Sequence, residues 1–574
     1  MDRSEIRPGQ IYAGPILVAD AFSTLWVAEG WTVRSGSQGS LLLERNQECQ
    51  GTQNEMPAVA RRELFSSRFL CLAEEMGAQL ERTALSTNVR ERLDFSCALL
   101  DGKGYLVANA PHIPVHLGAM GMFTRSLMQE FPHLSRGDIL VANHPAYGGS
   151  HLPDVSVLAP VFGERKEPVC FLANRAHHAE IGGVSPGSMP AGSATLEQEG
   201  VVLSPQYLFE KGESRMDQIE KVLQRAEYPS RQVSENLADL SAQVASLRYG
   251  IDTMEQLIAE YGENEITQQM NALREESSLS CRHFLEGFGD TVLSGTQSLD
   301  DGDRIELQVS MQEGSAIFDF TGTAPARDDN LNATEAIVHS AVCYCLRVLI
   351  GSNLPLNEGL LEPVSLILPN GSLLNPAFSS DASQSPGVAG GNVEISQRLV
   401  DLILSTVFQE VACSQGTMNN VIFGNNKFSH YETLGGGSGA RIGQEGTSAV
   451  QVHMTNTAIT DPEILENRFP VRLVAFRRRM GSGGEGTWPG GDGIEREYLF
   501  EEETQLSLLT QSRVEAPCGI SGGESGMCGE QVLIRMDGTE EAMDSLEQVT
   551  VYPGDRLVIR TPGGGGAGEA ELLA

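Results

Sequence analysis

Two apolar runs, Val155–Phe162 and Pro168–Ala176, stand on either side of a short charged turn, Gly163-Glu-Arg-Lys-Glu167. Strands joined this closely pair antiparallel. Setting Phe162 opposite Pro168 places Asp154 opposite Ala176, beside His177. The open end of the hairpin then carries His151-Leu-Pro-Asp154 on one strand and His177-His178-Ala-Glu180 on the other. A slip of one residue turns every side chain to the other face, so the reading leaves open whether His177 or His178 points inward.

Seven of the eleven histidines fall in the same stretch: His112, His116, His133, His144, His151, His177 and His178. Two imidazoles and a carboxylate on one rim form a donor set for Mn²⁺, Fe²⁺ or Zn²⁺ with positions left open for water or substrate. The plainer reading is that these histidines cap turns and bond to backbone. For a lone H-x-x-D that reading wins; with H-H-x-E delivered to the same rim, the metal does. Upstream, Glu91-Arg-Leu-Asp94 precedes the strand-like Phe95–Leu100, and His116 follows the hairpin turn Asp101-Gly-Lys-Gly104. Glu91, Asp94, His116 and the second rim histidine, His178, are the candidates for a further ligand, a general base or a partner to a ligand histidine. The alternative is a surface pair for Glu91–Arg92 and a loop histidine at 116.

Along the chain the pattern changes several times. Residues 1–50 read as short strands (Ile16–Ala19, Ser23–Val27, Trp31–Arg34, Leu41–Glu44), followed by a polar linker at Asn46–Met56 and a helix from Ala58 to about Leu85. Residues 57–205 form an α+β region holding the metal rim. Residues 206–288 lose glycine and show apolar residues at helical spacing, a helical hairpin or bundle broken at Pro229. Residues 289–574 return to strands (Arg304–Val309, Ala316–Phe320, Val364–Leu368), interrupted by helices at about Ala333–Ile350 and Glu394–Val411. Hairpins are expected at Asn370-Gly371, Asp537-Gly538 and within Val549–Arg560. The fold class is mixed α+β, a β-rich multi-domain chain with an inserted helical hairpin or bundle.

Several function classes drop out. With 40 Lys and Arg against 76 Asp and Glu, the formal charge is −36, so neither nucleic acid nor an anionic membrane is a partner. No apolar run reaches the ~18 residues of a membrane span, and the amino terminus has no signal-peptide core. Ten scattered cysteines without a C-x-x-C pair speak against a disulfide framework and for a reducing cytoplasm. Gly481–Gly486 matches G-x-G-x-x-G but no helix can follow it, and no phosphate-binding G-x-x-x-x-G-K-[ST] occurs. Gly519-Ile-Ser521-Gly-Gly523 lacks the strand and helix of a nucleophile elbow. Cys97 and Cys413 read as buried small residues rather than nucleophiles. The glycine runs Gly435–Gly439, Gly481–Gly493 and Gly563–Gly566 read as tight turns and bulges, with backbone approach to an anion or a partner as the alternative.

Longer motifs carry a resemblance. Arg90–Ala98, His112–Gly118, Gly148–Asp154, Asn174–Gly183, Ala389-Gly-Gly-Asn-Val-Glu394, Ser414–Asn420, His453–Thr457 with Asp461-Pro-Glu463, and Thr561–Gly566 resemble the hydantoinase B/5-oxoprolinase family from about residue 57 onward. His453–Glu463 is closer to the 5-oxoprolinase branch. Residues 9–45 resemble the carboxy-terminal tail of the family's A-type subunit. The resemblance implies ATP-driven opening of a small cyclic amide, 5-oxo-L-proline giving L-glutamate, with ATP bound by an A-type partner and not by this chain. It assigns a divalent metal, manganese, to His151, Asp154 and His177, with zinc, iron or magnesium as other occupants, and places Glu91 beside them. Hydantoin ring opening and a ketone-carboxylase subunit are the enzymatic alternatives, and an assembly or substrate-binding subunit is the non-catalytic one.

Overall fold

In the computed structural model the two apolar runs are the strands Asp154–Phe162 and Pro168–His177, paired antiparallel near the middle of a seven-stranded sheet. The remaining strands of that sheet are Phe95–Asp101, Leu106–Asn109, Ile139–Ala142, Gln206–Glu210 and Glu213–Ser214. All nine residues of Asp154–Phe162 are buried, which is why the run is apolar throughout rather than alternating. Side chains still divide by parity. Val155, Val157, Ala159 and Val161 enter one core, while Leu158 enters the other with Phe171 and Ala173 of the neighbouring strand.

Phe162 faces Pro168 as expected, but a bulge between Pro168 and Cys170 shifts the register by one. Asp154 therefore faces His177, not Ala176. A bulge adds one unpaired residue to one strand, and nothing in the local pattern of residues 168–170 announces it.

The structure describes residues 1, 3–7, 10–19, 24–36, 40–45, 57–116, 118–351 and 356–570. They divide into two units, Met1–Leu64 and Phe65–Ala574. In the first, Ile11–Ala13, Trp31–Ser35 and Leu41–Arg45 make one small sheet, and Ile16–Ala19 with Thr24–Val27 a hairpin. Ile6, Val18, Val27 and Val33 are its core. The expected linker, Asn46–Met56, and Ser23 lie outside the described residues.

In the second unit, one face of the seven-stranded sheet is covered by the helix Ala58–Thr83 from Phe65 onward and by Val233–Tyr261 and Glu263–Glu286. Ala119–Glu130 covers the other face through Met120, Phe123 and Leu127. The helical stretch thus shares the sheet's core. It also starts later than its composition suggests: Gln206–Glu210 pairs with Ile139–Ala142 before the first helix of the stretch, Met216–Arg225. Pro229 falls in the break before Val233, and Gly262, at φ +86°, lies between the two long helices.

A four-stranded sheet follows (Thr291–Ser298, Arg304–Gln312, Ser315–Asp319, Val364–Ile367), packed on Glu335–Ile350 and Ser396–Val407. Its last strand pairs parallel to Ser315–Asp319. No hairpin forms at Asn370-Gly371, because the chain leaves the sheet there and makes isolated bridges through Ser372. The carboxy-terminal region stacks two sheets on one core that includes Phe423, Leu506, Tyr498 and Ile559. The expected hairpin within Val549–Arg560 is two strands that part company. Leu546–Val551 joins Thr504–Leu509, whereas Arg556–Arg560 joins Ile494–Phe500 and Glu530–Ile534. The Asp537-Gly538 hairpin forms as expected.

The glycine runs are mostly not turns. Gly435, Gly436, Gly437, Gly439 and Gly563–Gly566 all have ordinary negative or extended φ; what they require is the missing Cβ. A methyl at Gly437 would lie 1.9 Å from the Gly491 carbonyl oxygen, and one at Gly564 2.0 Å from that of Ser438. The segments hydrogen-bond backbone to backbone, Gly484 to Gly564 at 2.8 Å and Gly564 to Gly491 at 2.9 Å. They form a lattice of chain packed directly on chain, in place of the turns and bulges expected. Cys413 and Cys518 meet beside it as a disulfide, Cα atoms 5.2 Å apart, a pairing that 105 residues of separation hid from the spacing argument. Among the described residues no helix is long and apolar enough to cross a membrane.

Candidate metal centre

Three strand ends converge at the open end of the hairpin. Asp154 opens its strand, His177 closes the next and pairs with it, and Asp94 immediately precedes Phe95–Asp101, which flanks the pair. The His177 amide donates to the Asp94 carbonyl at 3.0 Å, and the His178 amide to the Pro153 carbonyl at 2.8 Å. These two bonds fix the chain on either side of the rim. They also resolve the open choice by turning His177 inward. His178 instead holds Gln243 and Asn236, each at 3.2 Å.

His151 Nε2 lies 3.3 Å and His177 Nδ1 3.4 Å from Asp154 Oδ1. The three residues offer donor atoms all within 4.8 Å of one another, and all three are buried. His151 Nδ1 and Nε2, Asp154 Oδ1 and His177 Nε2 have no hydrogen-bond partner. An unsatisfied buried polar atom costs about 1–3 kcal/mol, so such a cluster needs an explanation, and a cation would take one donor atom from each of the three side chains. A divalent cation fits: it takes lone pairs from neutral imidazole and from ionised carboxylate. The electrostatics agree. Burial alone would raise the Asp154 carboxyl, but the His151 and His116 imidazoles overcome it and hold it well below the usual range. Burial lowers His177, against the pull of Asp94 and Asp154, and keeps it neutral.

Around the triad a second set of contacts fixes orientation. His116 Nε2 lies 3.2 Å from Asp154 Oδ2, and its Nδ1 meets Ser96 Oγ at 2.9 Å. Ser150 Oγ also donates to Asp154 Oδ2. Tyr431, on the strand Ser429–Thr433, stacks on His177 with ring centres 4.8 Å apart. The buried Arg92 lies 4.4 Å over the Tyr431 ring and donates to Asp94 at 3.3 Å. A small cavity opens off the triad, and Asp94 and His116 share its wall with Asn392, Tyr431, Thr433 and Thr455.

Of the residues singled out from sequence, the structure brings together His151, Asp154, His177, Asp94 and His116. It leaves two apart. Glu91 ends the short helix Thr87–Arg90, ion-paired with Arg90 at 3.7 Å and off the cavity wall, and His178 is taken up by amides. The plainer reading holds for other histidines: His112 accepts the Cys97 amide, and His144 caps Pro145–Tyr147. Burial pushes the Cys97 thiol up to about 12, so it is no nucleophile at neutral pH. Sequence reasoning gave no role to Arg92, Tyr431 or Asn392. Arg92 and Asn392 lay inside motifs already noted, while Tyr431 had no signal at all.

A family model described as hydantoinase B/oxoprolinase matches residues 59–570. The chain is 41% identical over 590 residues to 5-oxoprolinase 1 of Arabidopsis thaliana, covering 98% of this chain and 46% of that protein. It is also 41% identical over 610 residues to the 5-oxoprolinase of Saccharomyces cerevisiae, with the same coverage. The chain thus spans about half the length of these relatives. Among solved structures, an ATP-dependent caprolactamase from Pseudomonas jessenii superposes with a TM-score of 0.81 at 24% identity, over 90% of this chain and 92% of that one.

Proposed function

Because the chain belongs to the hydantoinase B/oxoprolinase family, we propose that it is the ring-opening component of an ATP-dependent 5-oxoprolinase: 5-oxo-L-proline, ATP and water give L-glutamate, ADP and phosphate. ATP is used by an A-type chain or chain part, the counterpart of the half of the relatives that this sequence does not cover. The observation that carries the reading is the buried cluster of His151, Asp154 and His177, which brings donor atoms within 4.8 Å of one another and leaves several of its nitrogen and oxygen atoms without a hydrogen-bond partner.

A lactam is a poor electrophile, and phosphorylation of its amide oxygen supplies a leaving group. Water adds to that carbon, the ring C–N bond of the adduct breaks with the nitrogen taking up a proton and leaving as the amine, and the acyl phosphate left behind is hydrolysed by a second water to carboxylate and phosphate. His151, Asp154 and His177 would hold a divalent cation, manganese by family, which supplies Lewis acidity toward a substrate oxygen or water. Asp94, 4.0 Å from His177 Nδ1, accepts the proton that the attacking water sheds. Arg92 donates to Asp94 and fixes the orientation of its carboxylate. Ser96, through His116, fixes the Asp154 carboxylate. The apolar wall, Ile113, Val115, Met418 and Met454, keeps bulk water from the activated substrate.

Metal analysis of the purified chain, then co-expression with an A-type partner and assay of glutamate release, tests the reading. One metal per chain and ATP-dependent release are expected. Metal-free protein, or turnover that depends on bicarbonate and a ketone, contradicts it.

A further inference from the structure

Apart from the triad, one buried polar atom on the wall of the cavity has no hydrogen-bond partner: Oδ1 of Asn392. The hydroxyls there are engaged. Thr433 meets Thr457 at 2.7 Å, Thr455 meets Thr457 at 3.4 Å, and Tyr431 donates to Asn420 at 2.9 Å. Asn392 is 3% exposed, so water does not discharge the debt from outside.

Its placement follows from the motif Ala389-Gly-Gly-Asn-Val-Glu394. Residues Gly391–Ile395 form a π-turn at the head of the helix Ser396–Val407, a local widening that recurs at functional sites. The glycines let the turn press against the loop at Asn330–Ala333, since a Cβ at Gly391 would lie 1.9 Å from the Asn332 carbonyl oxygen. At the other end Glu394 Oε1 accepts from the Met418 amide at 3.1 Å and from Asn420 Nδ2 at 2.7 Å. Asn420 holds Tyr431, and Tyr431 stacks on His177. The turn that presents Asn392 is therefore tied to a triad histidine through three side chains.

We infer that Asn392 is a specificity-determining residue that accepts the ring N–H of a cyclic amide whose carbonyl side faces the triad. This rests on the function proposed above and deepens it. An orphan acceptor calls for a donor, while a triad that holds a cation calls for an oxygen. A ligand meeting both from one small cavity presents C=O and N–H on the same edge. An open-chain secondary amide is trans and puts them on opposite edges, and its cis form is strongly disfavoured. A small lactam is cis by ring closure. The site thereby selects rings over peptides without contacting the rest of the molecule.

The test uses the metal-loaded chain, titrated calorimetrically with 5-oxo-L-proline and with its ring-oxygen analogue, 5-oxotetrahydrofuran-2-carboxylate, which lacks the N–H. Wild type should prefer the lactam by about 10- to 100-fold, the cost of a buried acceptor left unpaired. Asn392→Leu, close in shape, should erase the preference with metal content unchanged. Asn392→Asp, which keeps an acceptor, should retain it. A preference that survives Asn392→Leu overturns the inference while leaving the 5-oxoprolinase reading intact. Binding of neither ring by metal-loaded wild type also overturns the inference, and ATP-dependent glutamate release with an A-type partner then decides the 5-oxoprolinase reading separately.

Discussion

The triad rim and the glycine lattice are the two densest signals in the sequence, and they work in opposite ways. At the rim, side chains are everything: three donor residues are carried to one point, buried, and left facing one another. In the lattice their absence is everything, since carbonyls occupy the space where Cβ atoms would be. The rim leaves buried lone pairs unsatisfied, whereas the lattice donates its amides to carbonyls, Gly437 to Pro562 and Gly566 to Glu524 among them. Unmet hydrogen-bonding capacity gathered on ligand-type side chains within reach of one another marks the rim; met capacity without side chains marks the lattice. Glycine-rich and histidine-rich runs both attract functional readings from sequence, and this accounting separates them.

The sharpest way to break the contrast is to exchange the consequences. His151→Ala with Asp154→Ala should abolish metal binding and cut ATP-dependent turnover by about 10³-fold or more, as loss of a catalytic unit does. The metal-free protein should still fold, with a stability loss confined to the bonds that Asp154 Oδ2 accepts from His116 and Ser150. Gly564→Ala should do the reverse. The added methyl meets the Ser438 carbonyl, and backbone on both sides must shift, so a loss of about 3–5 kcal/mol is expected, read in chemical denaturation. Metal bound per folded molecule should stay the same. If the glycine variant folds normally but loses metal, the lattice is part of the site.

A smaller effect tests the ring of contacts around the triad. Tyr431→Leu removes the stacking partner of His177 and should weaken metal affinity about 10-fold, the usual scale for residues that orient ligands. Tyr431→Phe keeps the ring and should stay within about threefold of wild type.

A separate test, of stability rather than of metal, concerns a buried carboxylate whose partners are present. Burial would raise Glu432, but Arg496 at 3.1 Å, His430 and the Tyr498 hydroxyl at 2.5 Å push it down to about 2. A depressed carboxyl contributes stability that is full above its unfolded pKa of roughly 4.3 and is lost as pH falls toward 2. That contribution is about 3 kcal/mol at ~1.4 per pKa unit. Acid titration of stability should fall in this window, and Glu432→Gln should flatten the fall. Equal slopes in both proteins would show that Glu432 does not behave as a paired carboxylate.

How far the sequence reaches can be argued from particular residues. The hairpin was legible because two apolar runs and one charged turn allow a single pairing direction. The bulge at Pro168–Cys170 was not, since it changes no residue type, and it alone decides that Asp154 faces His177. The choice of His177 over His178 needed the backbone bonds to Asp94 and Pro153. Arg92, Asn392 and Tyr431 were out of reach for another reason. Arg92 looked like half of a surface pair, and the other two come from more than 200 residues beyond the hairpin. Val549–Arg560 failed because local alternation fits a strand whichever sheet receives it, and its two strands go to different sheets.

The central claim is that His151, Asp154 and His177 share one cation. Anomalous diffraction at the manganese edge, from crystals of the chain grown with Mn²⁺, tests it most directly. The account predicts a single strong peak bounded by His151, Asp154 and His177, gone in Asp154→Ala. A peak elsewhere, or none with the three side chains turned to other partners, would contradict it.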